Sequence, residues 1–333
     1  MNSLDHESLA SLPEDEGRKK CLVIGAAGFV GKHLLAYLSG EKDFLVHATK
    51  LAFETIDTTD CPHVQIHDLD ITGASDVKTL LSLLQPDIII HLAAQSSVAL
   101  SFQKPELTME INVMGSLHVL EAIRQYCPSC TALFVGSAEQ YGPVSPEQQP
   151  VRETTYPQPV SPYAISKSAV ESLAALYAKS YGLHLIMVRA FNHIGPGQLP
   201  IFVVSDFAKQ IARIEKGEAE PVITVGNLSA KRDFTDVRDI VRAYDCLVKT
   251  GRSGEIYNIG SGQSVMISSV LEQLLALSNK KIEVRIDPEK FRPVDVPEFV
   301  ADVTKIKKDT SWEPVIPLSA SLSDTLAYWR ANV

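Results

Sequence analysis

The sequence predicts an α/β fold: a doubly wound parallel (Rossmann) sheet with a smaller C-terminal substrate-binding domain. Three observations carry that expectation. Short, continuously apolar runs alternate with helical patterns through the first half of the chain. A glycine triplet follows the first of those runs, and after Asn192 the texture changes to loop-like, proline-rich segments. Continuous apolar strands separated by helices belong to a parallel sheet covered on both faces.

Taken in order, residues 21–24 read as a buried strand, and a helix follows the glycine turn as far as about Leu38. Residues 44–49, 64–67, 87–91 and 132–136 read as further strands, with helical patterns near 76–84 and 106–125 between them. A long helix over 162–181 leads to a sixth strand at 185–189, which completes the doubly wound pattern. Beyond Asn192 the pattern gives a helix over 203–216, a short strand near 221–225, a helix over 237–249 and a strand over 255–259 that can return to the main sheet. The remainder, with Pro288, Pro293, Pro297, Pro314 and Pro317, reads as a smaller domain of short elements.

Bulk properties restrict the function classes. The 333 residues suit one large and one smaller unit. A net charge of −9, from 31 basic and 40 acidic residues, argues against nucleic acid as a partner, because neutralising phosphates needs a basic surface. No apolar run reaches the length of a membrane span. The acidic N-terminus lacks the basic and apolar regions of a signal peptide, and residues 1–17 read as a mobile extension. Five cysteines, odd in number and sparse, fit a reducing cytoplasm. Cys127 and Cys130 form a C-x-x-C read as an accident of spacing, since zinc takes four ligands; no metal is expected.

The run G-A-A-G-F-V-G places Gly25, Gly28 and Gly31 at a strand-to-helix turn, with Phe29 and Val30 on the same loop. Such glycines permit the tight turn, the approach of backbone to a pyrophosphate and close helix packing, while the helix N-terminus offers free N–H groups to phosphate. The second strand ends at Lys50, where an acidic residue would read an unphosphorylated ribose. A cation there favours a 2′-phosphate, hence NADPH, with NADH still possible. Asp68 and Leu69 follow strand three and suit the adenine amino group and ring. Leu92, Ala93 and Ala94 follow strand four and leave room for backbone to run beside the cofactor.

Strand five delivers Ser137 at its carboxyl end, where ligands of open α/β sheets bind. Tyr163 and Lys167 stand four residues apart on one helix face. Reducing a ketone builds charge on oxygen, which must receive a proton. An ammonium beside a tyrosine is expected to draw the phenol down towards the working range, and a serine fixes the same oxygen.

These residues resemble the extended short-chain dehydrogenase/reductase family, in its nucleotide-sugar-modifying branch, over everything from about Lys20 onward. R-A-F-N-H-I-G-P-G-Q (189–198), G-N-L-S-A-K-R-D-F-T-D-V-R-D (226–239), Y-N-I-G-S-G (257–262) and F-R-P-V-D-V-P (291–297) are similar to its GDP-mannose 4,6-dehydratase group. The resemblance implies an oxidoreductase with a dinucleotide-binding domain at 18–191 plus 236–258 and a nucleotide-sugar domain at 192–235 plus 259–333. It implies that Lys167 reaches the nicotinamide ribose, that Asn112 props the active-site backbone, and that two long helices make a homodimer, with a tetramer as the larger option. It further implies a GDP-sugar held by Ser96, Glu139, Asn192, Val203, Lys209, Arg232, Arg292 and Asp295, with arginine forks suited to the diphosphate.

Two activities fit. Reduction of a 4-keto-6-deoxy GDP-sugar, giving GDP-D-rhamnose, needs only the Ser-Tyr-Lys set. Dehydration of GDP-mannose also needs a carboxylate base, which Glu139 offers. Ala138, where the dehydratases resembling this chain carry a polar residue, and Asp206, where they carry a cation, favour the reductase. Another sugar epimerase or reductase, and a dinucleotide sensor without turnover, are the further alternatives. His91 and His193 read as hydrogen-bonded core residues, with His193 also placed to line the sugar pocket.

Overall fold

The computed structural model describes residues 17–290 and 296–333. Apart from Gly17, the N-terminal extension lies outside the described residues. Seven strands form one all-parallel sheet: β1 (Lys19–Ile24), β2 (Phe44–Lys50), β3 (Gln65–Asp68), β4 (Ile88–His91), β5 (Thr131–Val135), β6 (His184–Ala190) and β10 (Ile256–Ile259). Their spatial order is β10-β6-β5-β4-β1-β2-β3, a doubly wound arrangement that reverses direction at β1. The strand expected over 255–259 does return, pairing with β6 through Tyr257 opposite Val188.

The two faces of the sheet are sorted by residue parity. Cys21 and Val23 of β1 enter one apolar cluster, with α1 (Phe29–Ser39) and α8 (Val237–Thr250), while Leu22 and Ile24 enter the opposite one. Alternation of side chains along a strand requires this, and both sets are fully buried. The second cluster is closed by α2 (Ala74–Leu84), α5 (Ser116–Tyr126) and α6 (Pro162–Tyr181). Ser161 caps α6 by accepting the Ala164 N–H at 3.1 Å, Pro162 sits in its first turn, and Gly182 ends it with φ of 68°.

One predicted helix is broken. Preceded by a separate short helix, α3 (Val98–Gln103), the segment expected over 106–125 starts in α4 (Pro105–Met109), passes through a π-helical turn at Glu110–Gly115, and only then becomes α5. Two features of the sequence accompany these breaks. Pro105 cannot continue a preceding helix, and a Cβ at Gly115 would stand 2.6 Å from the Ile71 side chain. The wider turn brings Asn112 inward, where it is 1% exposed.

The remaining elements form a second lobe with its own core. β7 (Asn192–Ile194), β9 (Lys231–Asp236), β11 (Ser264–Met266) and β13 (Glu298–Phe299) make one small sheet, and β8 (Val222–Val225) pairs with β12 (Glu283–Ile286). They are packed by α7 (Val203–Lys216), α9 (Ile267–Ala276) and α11 (Leu318–Asn332) around Phe207, Ile211, Leu271 and Leu326; α10 (Thr304–Thr310) lies on the first lobe beside β10. The C-terminal region was expected to hold short elements, yet α11 has 15 residues and α9 has 10. Their apolar residues do not look long-range in sequence, but they are what closes the lobe's core.

Candidate active site

The glycine turn separates into residues that the fold requires and one that it does not. Gly25 adopts φ of +85°, and a Cβ there would lie 2.6 Å from the Ala93 backbone. A Cβ on Gly31 would lie 2.4 Å from the Ala26 carbonyl oxygen. Gly28 is exposed, and its Cβ would meet only the Gly25 carbonyl oxygen, at 3.7 Å. Gly28 is also the N-cap of α1 and provides no side-chain cap, so the first N–H groups of the helix face outward. Room for backbone approach together with a bare helix N-terminus fits a pyrophosphate. Thr49 holds the turn in place: its hydroxyl accepts the Gly25 N–H at 3.1 Å and its carbonyl the Ala26 N–H at 2.8 Å. Leu92 and Ala93 both donate their N–H to the Ile24 carbonyl at 2.9 Å, which draws the end of β4 alongside the turn towards Ala94.

Around the expected adenosine position, Lys50 and Asp68 are cross-strand neighbours and pair with each other at 2.5 Å. The sequence assigned them to separate parts of the cofactor; register brings them together. Leu69, expected to lie against the adenine ring, is instead buried in the cluster with Ile71 and Val77. Phe29 stacks on His193 of the second lobe with centroids 6.0 Å apart and planes at 7°, and Val30 packs against the core.

Ser137 leaves β5 at the head of a single 3₁₀ turn (Ala138–Tyr141), whose first cap it forms by accepting the Glu139 N–H at 3.2 Å. Its hydroxyl hydrogen-bonds Tyr163. Tyr163 and Lys167 are both nearly buried on α6, 9% and 8% exposed. The expected lowering of the tyrosine does not occur. Burial, with a smaller contribution from the Glu139 charge, pushes the Tyr163 phenol up to about 12, against the opposing hydrogen bond from Ser137. Lys167 donates its Nζ to the Val135 carbonyl at 2.7 Å, and burial brings its ammonium down to about 8. The tyrosine is therefore a held proton, and Glu139 lies within reach of its field.

The backbone on the other side of the site is clamped. Asn112 Oδ1 accepts the Gln95 N–H at 2.7 Å, and its Nδ2 donates to the Gln95 carbonyl at 3.0 Å and to the Ser166 hydroxyl at 2.9 Å. A side chain on the π turn thus ties the segment leading to exposed Ser96 to the helix of Tyr163. His91 is a core residue: its Nε2 pairs with the Ser116 hydroxyl at 2.9 Å, and burial drives it down to about 3, so it stays neutral. His193 is held by the Phe191 carbonyl at 3.0 Å and is likewise lowered by burial.

The second lobe places exposed Asn192 at the start of β7, opposite Phe234 and two residues from Arg232 on β9. Arg232 donates to the Lys231 and Val296 carbonyls at 2.8 and 2.7 Å. Val203 opens α7. Lys209, further along that helix, sits over the Trp329 ring at 4.9 Å and lines a cavity of about 360 Å³ with Asp206, Gln210 and Arg213. Asp206 pairs with Lys290 at 3.2 Å. Arg292 and Asp295 lie outside the described residues. Ala138 is packed with Tyr141, Val144 and Phe191, so that position presents no polar group. No grouping of side chains suited to a metal occurs among the described residues.

The sequence pattern of the GDP-mannose 4,6 dehydratase family matches residues 22–325. The chain belongs to this family. Among its relatives is a GDP-6-deoxy-D-mannose reductase of Pseudomonas aeruginosa, 34% identical over 95% of this chain and 98% of that protein. A GDP-mannose 4,6-dehydratase of Yersinia enterocolitica is 31% identical over 93% of each. A solved structure of RMD from Pseudomonas aeruginosa complexed with NADPH superposes with a TM-score of 0.83 at 32% identity, covering 95% of this chain and all of that one. The UDP-glucose 4-epimerase of Thermus thermophilus in complex with NAD gives 0.82 at 30% identity, over 94% of this chain and all of that one. The chain thus shares its overall fold with proteins named for different nucleotide sugars.

Proposed function

We propose that this family member reduces the C4 ketone of GDP-4-dehydro-6-deoxy-D-mannose to give GDP-D-rhamnose, with NADPH as reductant and NADH in second place. The observation that carries the reading is the full-length likeness to a GDP-6-deoxy-D-mannose reductase. The Ser137–Tyr163–Lys167 set supports it chemically. When bound, a reduced nicotinamide supplies the hydride to the ketone carbon. Tyr163 holds the matching proton on its phenol oxygen and delivers it to the ketone oxygen; Ser137 donates a hydrogen bond to that oxygen and fixes its position; Lys167 provides positive charge as the proton leaves. A phenol kept protonated by burial is the competent form for this direction.

The dinucleotide is assigned to the seven-stranded unit, 18–191 plus 236–258, and the GDP-sugar to 192–235 plus 259–333. Glycine turn, Lys50, Asp68 and residues 92–94 are proposed to hold the cofactor; Ser96, Glu139, Asn192, Val203, Lys209, Arg232, Arg292 and Asp295 the GDP-sugar. Glu139 near Tyr163 favours GDP-mannose 4,6-dehydration as a second reading, since that reaction needs a carboxylate base. Packing of Ala138 into an apolar cluster weighs for the reductase. Incubating the protein with the keto-sugar and NADPH, and separately with GDP-mannose alone, decides. Loss of nicotinamide absorbance only with the keto-sugar is expected; keto-sugar formed from GDP-mannose without net cofactor change overturns the reductase.

Lys50 is the proposed reader of the 2′-phosphate, released from Asp68 when a phosphate competes for it. Replacing it by Ala is expected to lower the NADPH-over-NADH preference in kcat/KM at least about tenfold, roughly the contribution of a charge-assisted bond. An unchanged preference removes Lys50 from that role. Five free cysteines support a reducing, cytoplasmic location. Exposed Phe102, Leu107, Met114, Ile165 and Leu176 on α3–α6 and the π turn support a homodimer built on those helices, to be read by light scattering.

A further inference from the structure

Behind the Ser137 turn runs a buried polar chain that none of the assigned roles uses. The Ser137 N–H donates to Gln140 Oε1 at 2.9 Å, and Gln140 Nε2 donates to Glu171 Oε2 at 3.0 Å. Arg189 on β6 then grips Glu171 with two bonds, Nε to Oε2 at 2.8 Å and Nη2 to Oε1 at 2.6 Å, while its guanidinium lies over the Tyr141 ring at 4.5 Å. Gln140 is fully buried. Its Oε1 occupies space left by Gly136, where a Cβ would be 2.3 Å from that oxygen. Glu171 follows Tyr163 and Lys167 at successive intervals of four on α6, hence on one helix face.

Two separate chain segments meet in the proton-transfer set: the turn carrying Ser137 and the helix carrying Tyr163 and Lys167. We propose that Gln140 is the positioning residue that couples them, by spanning from the Ser137 backbone to Glu171 and so fixing the serine relative to the phenol. This rests on the reading that the set performs hydride chemistry at a carbonyl. A purely local role is the alternative, because Gln140 also completes a capping box with Ser137. The two roles respond oppositely to one substitution. Glutamate serves a capping box as well as glutamine does. Against Glu171, however, it replaces a donated hydrogen bond by like-charge repulsion.

The test is Gln140→Glu, with the double variant Gln140→Glu/Glu171→Gln as rescue. At pH 8 the single variant is expected to lose kcat by about 100-fold, with the cofactor KM within about twofold of wild type, the loss typical of a misplacement near 1 Å. Facing the introduced carboxylate are Glu171 and Lys167 of α6, Arg189 of β6 and Glu139 of its own turn. Arg189 is bonded to Glu171 through both oxygens and makes no such pair with the introduced group, so the introduced group is the one whose pKa rises. As pH falls through that raised value the group protonates and again donates to Glu171. The variant should therefore recover activity towards pH 6, and the double variant should recover it at pH 8. A loss that is the same at every pH and unrelieved in the double variant, or a kcat within about twofold of wild type, overturns the proposal. Amide exchange of the Ser137 N–H gives a reading independent of turnover. Faster exchange in Glu171→Leu, which leaves the capping box itself untouched, supports the tie, and exchange unchanged from wild type overturns it even if the assigned substrate proves wrong.

Discussion

Tyr163→Phe is expected to reduce kcat by about 10²- to 10⁴-fold, the range over which a positioned general acid acts, while leaving the dissociation constant of NADPH nearly unchanged. The substitution removes one oxygen from a side chain that is 9% exposed, so packing on α6 is retained. It takes away the proton that burial holds on the phenol beside Ser137. A dinucleotide sensor would lose nothing that matters by this change, and near-normal turnover would remove Tyr163 from the acid role. The wild-type pH profile supplies an independent check. Burial lowers Lys167 to about 8, so its charge is present below that pH and lost above it. Since the ammonium stabilises the phenolate left behind when the proton departs, kcat should fall as pH rises through about 8. Tyr163, at about 12, remains protonated across that window and does not itself limit the rate.

The parallel sheet and the Tyr-Lys spacing were legible because each is written locally: apolar runs of strand length, and an i, i+4 pair on one helix. The π turn at Glu110–Gly115 was not, since no local pattern marks it, and Gly115 at its end lies against Ile71, more than forty residues away in the chain. The same holds for electrostatics. The sequence places an ammonium beside the tyrosine but carries no sign that Lys167 spends its hydrogen bond on the Val135 carbonyl. Lys50 and Asp68 were each visible as strand-end polar residues, whereas their pairing needs the β2–β3 register. Gln140, Glu171 and Arg189 went unnoticed because a polar chain is recognisable only when its members are adjacent in space. One signal was available: Glu171 continues the four-residue interval set by Tyr163 and Lys167.

The second large effect concerns two glycines three residues apart that are expected to fail in different ways. Gly25→Ala meets two penalties at once. An alanine forced to φ of +85° costs roughly 1–2 kcal/mol, and a Cβ only 2.6 Å from the Ala93 backbone must push apart the first strand turn and the end of β4, adding about 1–3 kcal/mol of overpacking. The sum, about 2–5 kcal/mol, is a large part of the stability of an ordinary folded protein and should appear directly as a lower urea midpoint. Gly28→Ala meets neither penalty, because its φ of −70° suits alanine and its Cβ touches only a carbonyl oxygen at 3.7 Å. Its urea midpoint should stay at the wild-type value. Yet the new methyl projects where α1 presents its uncapped N–H groups, so the nicotinamide cofactor should bind at least about tenfold more weakly, a change of about 1.4 kcal/mol. Unchanged cofactor affinity in Gly28→Ala would show that the open glycine is not the pyrophosphate's point of approach. An unshifted midpoint in Gly25→Ala would mean that the Ala93 segment yields freely, and the rigid turn inferred here would have to be given up.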